Sequence, residues 1–329
     1  MKKIINDPNN VVSECLQGLA LQNPDLVYVP GLEVIARKTK SGNVGIVSGG
    51  GSGHEPAHAG YVGEGMLDAA VAGNVFSSPS PDRIIKGIEL ANSGKGVLLV
   101  IKNYSGDIMN FELAQEMAAM EDIEIDHVIV RDDVAVEDST YSAGRRGIAG
   151  TVFIHKIAGA KAMSGAPLAE VKRVAEKAIA NVRSMGMAMT PCTLPAVGRP
   201  GFELKENEIE IGMGIHGEPG VERTAILSSK DLSKRLCDSI LADLNYANSE
   251  VALMVNGLGA TPLMELYILN NDVQSYLKEM NVRVYRTYVG DYMTSLDMSG
   301  ASVTLLKLDD ELKALLDAPC KTTALIQEA

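Results

Sequence analysis

The sequence predicts an α/β protein built as two α/β domains with mostly parallel or mixed sheets. Three observations carry this. Helical and strand-like apolar patterns alternate from one end to the other. Several strands read as short, continuous apolar runs, as expected where both sheet faces are covered. And 329 residues exceed the roughly 100–200 of an ordinary domain, while 46% hydrophobic residues can fill a substantial core. A boundary is expected near residue 185, giving domains 1–185 and 186–329.

In order along the chain, Asp7-Pro8 can cap a first helix with Val11, Val12, Cys15, Leu16 and Leu19 on its apolar face. Val44–Ser48 reads as a buried strand running into Gly49-Gly50-Gly51-Ser52-Gly53. Ser80-Pro81-Asp82 opens a helix to about Ala91, and Val97–Ile101 is a buried strand. Lys102–Asp107 then leads into a helix reaching about Met120. A strand near Ile125–Val130, helices over about 146–160 and 168–183, and a change of character at 184–193 complete the first half. The second half repeats the alternation, with strands near 209–215, 251–255, 282–288 and 303–308 and helices near 232–244 and 262–280.

Composition narrows the function. The formal charge of −12 comes without a Lys/Arg block, so nucleic acid is not expected as a partner. No apolar run approaches the roughly 18 residues of a bilayer span, and no membrane association is expected. Four scattered cysteines without a CxxC pair fit a reducing, cytoplasmic setting and give no structural zinc pattern.

Three segments could carry chemistry. Gly49–Gly53 can bring backbone N–H groups close to an oxygen-rich ligand, or serve as a flexible turn. His54-Glu55-Pro56-Ala57-His58 matches the HExxH spacing of zinc proteases, but Pro56 disfavours one helix running through both histidines. Nor does the glycine run end in Gly-Lys-Ser/Thr, so it is not a P-loop. Lys102 and Asp107 sit at a strand-to-helix junction, where Asp107 is either a helix cap or a base and Lys102 either solvated or substrate-orienting. In Glu208–Gly220 the apolar residues alternate at 209, 211, 213 and 215, which places His216 on the opposite strand face with Gly212 and Gly214. A satisfied core histidine is the plainer alternative. The GxGxxG match through Gly212, Gly214 and Gly217 opens a turn rather than a helix, and so is not a dinucleotide site.

Ser48–Pro56, Ile101–Asp107 and Gly214–Gly220, together with Asn256–Pro262 and Thr294–Met298, resemble in order the K domain of dihydroxyacetone kinases, and the resemblance runs nearly end to end. It implies a dihydroxyacetone-binding subunit in which His216 bonds the ketone carbon as a hemiaminal. Asp107 would then activate a terminal hydroxyl with His54 assisting, and Gly51, Ser52, Gly53 and Lys102 would complete the pocket. Because no nucleotide-binding domain follows in this sequence, the resemblance implies a phosphoenolpyruvate-dependent system. A separate L subunit would carry Mg-ADP, leaving no cofactor or metal in this subunit, and a homodimer is expected. The alternative is a non-catalytic paralogue that senses dihydroxyacetone and coactivates transcription; an intact Asp107 with His54 and Lys102 favours catalysis. A dehydrogenase stands further off.

Overall fold

The computed structural model describes residues 2–137 and 144–328. Two compact units make up the chain, and neither is continuous in sequence. The first gathers Lys2–Val130, Thr151–Ile179 and Glu311–Ala329; the second gathers Arg131–Gly150 and Ala180–Asp310. Residue 185 falls inside a strand of the second unit.

The first unit contains α1 (Val11–Gln22), β1 (Leu26–Val29), β2 (Val34–Arg37), β3 (Gly45–Ser52), β4 (Gly63–Glu64), β5 (Ala69–Val75), α2 (Pro81–Ala91), β6 (Val97–Lys102), α3 (Ser105–Ala119), β7 (Ile125–Val130), α4 (Thr151–Met163) and α5 (Leu168–Asn181). Its main sheet runs β1-β2-β5-β3-β6-β7, with β5, β3, β6 and β7 parallel and β1 and β2 antiparallel. Alternation along β6 divides its residues. Val97, Leu99 and Ile101 join Ile84, Ile88, Phe111 and Ala114 of α2 and α3 in one apolar cluster. Leu98, Val100 and Lys102 therefore point to the opposite face. Here α4 packs on β3 and β6, and every residue of α4 from Thr151 to Ala160 is buried. A helix apolar almost all round, as Val152–Ala160 is apart from His155 and Lys156, has no solvent face to present.

The second unit contains β8 (Val182–Thr190), β9 (Glu208–Ile211), β10 (Glu222–Ala225), α6 (Ser229–Asp243), β11 (Glu250–Gly257), α7 (Leu263–Glu279), β12 (Arg283–Gly290) and β13 (Ser299–Leu308). The chain then returns to the first unit through α8 (Asp310–Asp317), β14 (Cys320–Thr322) and β15 (Ile326–Gln327). Pairing of β14 with β4 in a small three-stranded sheet draws the C-terminal stretch into that unit. The second sheet, β10-β9-β8-β13-β11-β12, is mixed: β11 and β12 are parallel and the other neighbours antiparallel. Its core joins Leu236, Ile240, Leu266, Val273 and Leu277 of α6 and α7 to Val251, Leu253, Val303 and Leu305 of the strands.

Among the described residues, no helix is long and apolar enough to cross a membrane. The helix expected over about 146–160 runs instead over Thr151–Met163, and further expectations about local structure change. Asn10 and not Asp7 stands at the N-cap of the first helix, without a side-chain capping hydrogen bond, while Asp7 accepts the backbone N–H groups of Asn9 and Asn10 in the preceding turn. The strand expected to end at Ser48 continues through Ser52, since Ser48–Ser52 stay paired with Ala70–Val75 of β5. Conversely, the strand expected over 209–215 stops at Ile211, where Gly212 takes φ 79°.

Candidate active site

The glycine run is thus mostly strand, and glycine is needed there for close approach rather than for looseness. Gly50 has φ 148°, a conformation side chains rarely adopt, and a Cβ on it would collide with Lys102 Nζ and lie 3.2 Å from Asp107 Oδ2. Ser52 Oγ donates to Gly73 O at 2.8 Å, and Gly53 N donates to the Glu55 carboxylate at 3.1 Å. The two histidines that follow are separated by turns, not carried on one α-helix. His54 is buried and stacks on Phe76, with ring centroids 5.2 Å apart.

Lys102 ends β6 on the α4 face and is fully buried. Its ammonium donates to His58 Nε2 at 2.9 Å and to Gly49 O at 3.3 Å, and lies 3.7 Å from Asp107 Oδ2. Burial pulls the Lys102 pKa below the ordinary lysine range, partly offset by the charge and hydrogen bond of Asp107. Asp107 occupies the first turn of α3 and is 3% exposed, so the positive end of the helix dipole also faces its charge. Its other oxygen accepts a hydrogen bond from Ser78 Oγ. Gly106 makes room for that contact, because a Cβ there would sit 2.8 Å from Ser78 Oγ.

Behind Lys102, His58 Nδ1 faces His155 Nε2 at 3.0 Å. Burial, then the Lys102 charge and the neighbouring His155 and His54, hold the His58 pKa well below the usual imidazole range. His155, on α4, is pushed to about 3 by burial and by Lys102. Both rings are therefore neutral at physiological pH. A cavity of about 460 Å³ lies in the same unit, lined by Gly50, Gly51, Ser52 and His58 and by Cys15, Leu16 and Leu19 of α1. Neither Lys102 nor Asp107 lines it.

In the second unit, β9 and β10 form a hairpin whose connection carries His216. Gly212 N donates to Gly186 O at 2.7 Å, and Arg146, ion-paired to Asp133 at 2.8 Å, donates to Gly212 O at 2.8 Å. With the backbone turned at Gly212, His216 does not share a strand face with Gly212 and Gly214. It instead sits on a loop held at both ends. Glu218 fixes it there by accepting the His216 backbone N–H at 2.9 Å and ring Nδ1 at 2.8 Å. A carboxylate can only accept, so Nδ1 carries a proton, and in the neutral ring that leaves Nε2 as the unprotonated nitrogen. Burial would raise the Glu218 pKa, but the hydrogen bond and charge of His216 outweigh it and hold the carboxyl at about 2. Gly214 is open for the same reason as Gly50: a Cβ would strike the Glu218 carboxylate.

Within the first unit the structure brings together Lys102 and Asp107, with the glycine strand beside them and His54 buried nearby in the chain. The partners Ser78, His58, His155 and Glu218 were not recognised from sequence. Glu218 had a signal, two residues from His216 in the motif, and His58 had been set aside with the zinc spacing. Ser78 and His155 lie outside any motif. Among the described residues, no group of three or more His, Cys, Asp or Glu could hold a metal ion.

The first unit thus holds a buried lysine–aspartate pair and the second a carboxylate-held imidazole. The Dak1 domain family model matches residues 17–324, and the chain belongs to that family. It is 56% identical over 314 residues to the PTS-dependent dihydroxyacetone kinase 1, dihydroxyacetone-binding subunit DhaK, of Listeria innocua, covering 94% of this chain and 95% of the relative. Two solved structures share the fold. The dihydroxyacetone kinase operon co-activator Dha-DhaQ superposes with TM-score 0.91 at 38% identity, over 96% of this chain and 98% of that one. The dihydroxyacetone kinase of C. freundii does so with TM-score 0.90 at 34% identity, over 99% of this chain and 60% of that one.

Proposed function

We propose that this chain is the dihydroxyacetone-binding subunit of a phosphoenolpyruvate-dependent dihydroxyacetone kinase. His216 Nε2 adds to the ketone carbon as its C=O π bond breaks, the carbonyl oxygen takes a proton from solvent, and the resulting hemiaminal tethers the substrate. Glu218 holds the ring and stabilises the positive charge it acquires as the bond forms. Glycerol, lacking a carbonyl, cannot be tethered this way. Asp107 takes the proton from a terminal hydroxyl as its oxygen bonds to the incoming phosphorus and the donor's bond to that phosphorus breaks. Lys102 orients the substrate oxygen, Gly51, Ser52 and Gly53 line the pocket, and His54 assists the proton movement. Mg-ADP belongs to a separate L subunit, the working form is a cytoplasmic homodimer, and the glycine-rich and Lys/Asp segments fall in one domain with His216 in the other.

The observation that carries the catalytic reading is Asp107 itself, buried within 3.7 Å of Lys102 and hydrogen-bonded by Ser78. A sensor needs the tether and the pocket but no base. The co-activator structure shares the fold, so the fold does not separate the two readings; turnover does. Intact-protein mass spectrometry with dihydroxyacetone should show an adduct on the native chain that is lost in His216→Ala, and a phosphorylated L subunit should yield dihydroxyacetone phosphate. An adduct without product would transfer the assignment to the sensor, and no adduct would remove the covalent tether.

A further inference from the structure

We propose that His58 and His155 form a buried positioning relay for the proposed phosphoryl transfer, in which His155 fixes the tautomer of His58 so that His58 Nε2 accepts the Lys102 ammonium and aims it at Asp107. The proposal rests on the functional reading above and extends it to two further histidines, His58 and His155.

Geometry sets the direction of each hydrogen bond. Lys102 Nζ, as ammonium, can only donate, so His58 Nε2 at 2.9 Å must be the unprotonated nitrogen. The proton of neutral His58 then sits on Nδ1 and is donated to His155 Nε2 at 3.0 Å. Neutral His155 in turn carries its proton on Nδ1, an atom that has no hydrogen-bond partner among the described residues. A fully buried N–H without a partner costs roughly 1–3 kcal/mol, and an apolar side chain at this position of the largely apolar α4 would avoid that cost. A histidine kept there despite the penalty points to a role outside stability.

The depressed pKa values of both imidazoles agree, since a protonated His58 could not accept from Lys102. The groups facing this chain come from every element around it. They are Ser48 and the Gly49 carbonyl on β3, His54 after it, Tyr61 in the Ala59–Tyr61 turn, Lys102 on β6, Asp107 on α3 and His155 on α4. Ser48 Oγ is committed to Val100 O at 2.7 Å and stands 3.4 Å from His58 Nδ1. It is therefore a weaker acceptor than His155. Without His155, Ser48 Oγ can turn its hydrogen from Val100 O to His58 Nδ1, which lets His58 take the Nε2–H tautomer and present a proton to the ammonium.

The test compares His155→Met with His155→Gln, whose amide oxygen can stand where Nε2 does. Expected for His155→Met is a melting temperature no lower than that of the native chain, a three- to tenfold lower kcat with an unchanged KM for dihydroxyacetone, and an alkaline limb of the kcat–pH profile moved down by about 0.5–1 pH unit. The ammonium loses an acceptor, so it deprotonates at lower pH. His155→Gln should recover most of the rate. Histidine-selective ¹⁵N NMR on the native apo protein supplies a readout independent of turnover, and should show His58 protonated at Nδ1. A proton on Nε2, or a His155→Met enzyme with native kcat and pH profile, would overturn the relay. Failure of the native chain to support phosphoryl transfer to dihydroxyacetone would count against the functional reading alone, leaving the NMR result to decide the tautomer.

Discussion

Glu218 binds His216 at two points, the backbone N–H at 2.9 Å and ring Nδ1 at 2.8 Å, across a turn of two residues. The proposed tether needs the ring presented with Nε2 unprotonated, and this carboxylate sets both the orientation and the tautomer. Charge-assisted hydrogen bonds contribute roughly 1.5–3 kcal/mol, so Glu218→Ala should slow adduct formation roughly 10- to 100-fold, measured by time-resolved mass spectrometry. Glu218→Gln, which keeps an acceptor oxygen, should fall between that and the native rate. An unchanged rate in Glu218→Ala would remove Glu218 from the tether.

Asp107→Asn separates binding from transfer. The amide occupies the same volume but cannot take a proton, and loss of a general base costs roughly 10²–10⁴ in rate. Phosphoryl transfer should fall by that factor while the His216 adduct forms normally. Equal loss of adduct and turnover would mean that Asp107 builds the pocket rather than acting in the reaction.

Gly50→Ala tests the close approach of Lys102 to β3. The φ of 148° at this position and the Lys102 ammonium in the space of the new methyl both oppose the substitution. Expected is a destabilisation of about 1–3 kcal/mol in denaturant unfolding, with a loss of turnover larger than that of Gly94→Ala. Gly94 lies in a surface turn with nothing within 4 Å of an added Cβ, so its substitution carries the backbone strain alone.

Acid should act through the buried imidazoles. His155 titrates at about 3 when folded and near 6.5 when unfolded. Between these values the unfolded chain binds the extra proton, so stability falls as pH drops from about 6.5 toward 3. Asp133, raised to about 6 by burial, works in the opposite sense between about 4 and 6, because there the folded state holds the proton. A difference measurement isolates the histidine. The melting temperature of His155→Met relative to the native chain should rise as pH is lowered from 7 to 4.5, and a constant difference would contradict the buried, neutral state of His155.

Much of the fold was legible because apolar periodicity reports which faces are covered. The strand expected at Ile125–Val130 matches β7 end to end, and Pro81, Leu168 and Leu263 begin helices within a residue or so of where the pattern placed them. Where glycines dominate, the pattern carries little information: Gly49–Gly51 read as a loop and are strand, while Gly212 ended a strand whose alternation continued to Ile215. Lys102, Asp107 and His216 stood out as polar residues at strand ends or beside glycines. Two of their partners did not, since Ser78 lies 29 residues from Asp107 and His58 lies 44 from Lys102, and contacts across such separations leave no local periodicity.

The sequence by itself determined the alternation of helices and strands, the buried character of β6 and the residue types available for carbonyl and hydroxyl chemistry. Tertiary structure decided their chemical states. It buried Lys102 between an imidazole and a carboxylate, made His58 and His155 neutral, and put the His216 proton on Nδ1. Those states depend on desolvation and on hydrogen-bond direction, which arise when distant segments pack together and have no counterpart in the order of residues along the chain.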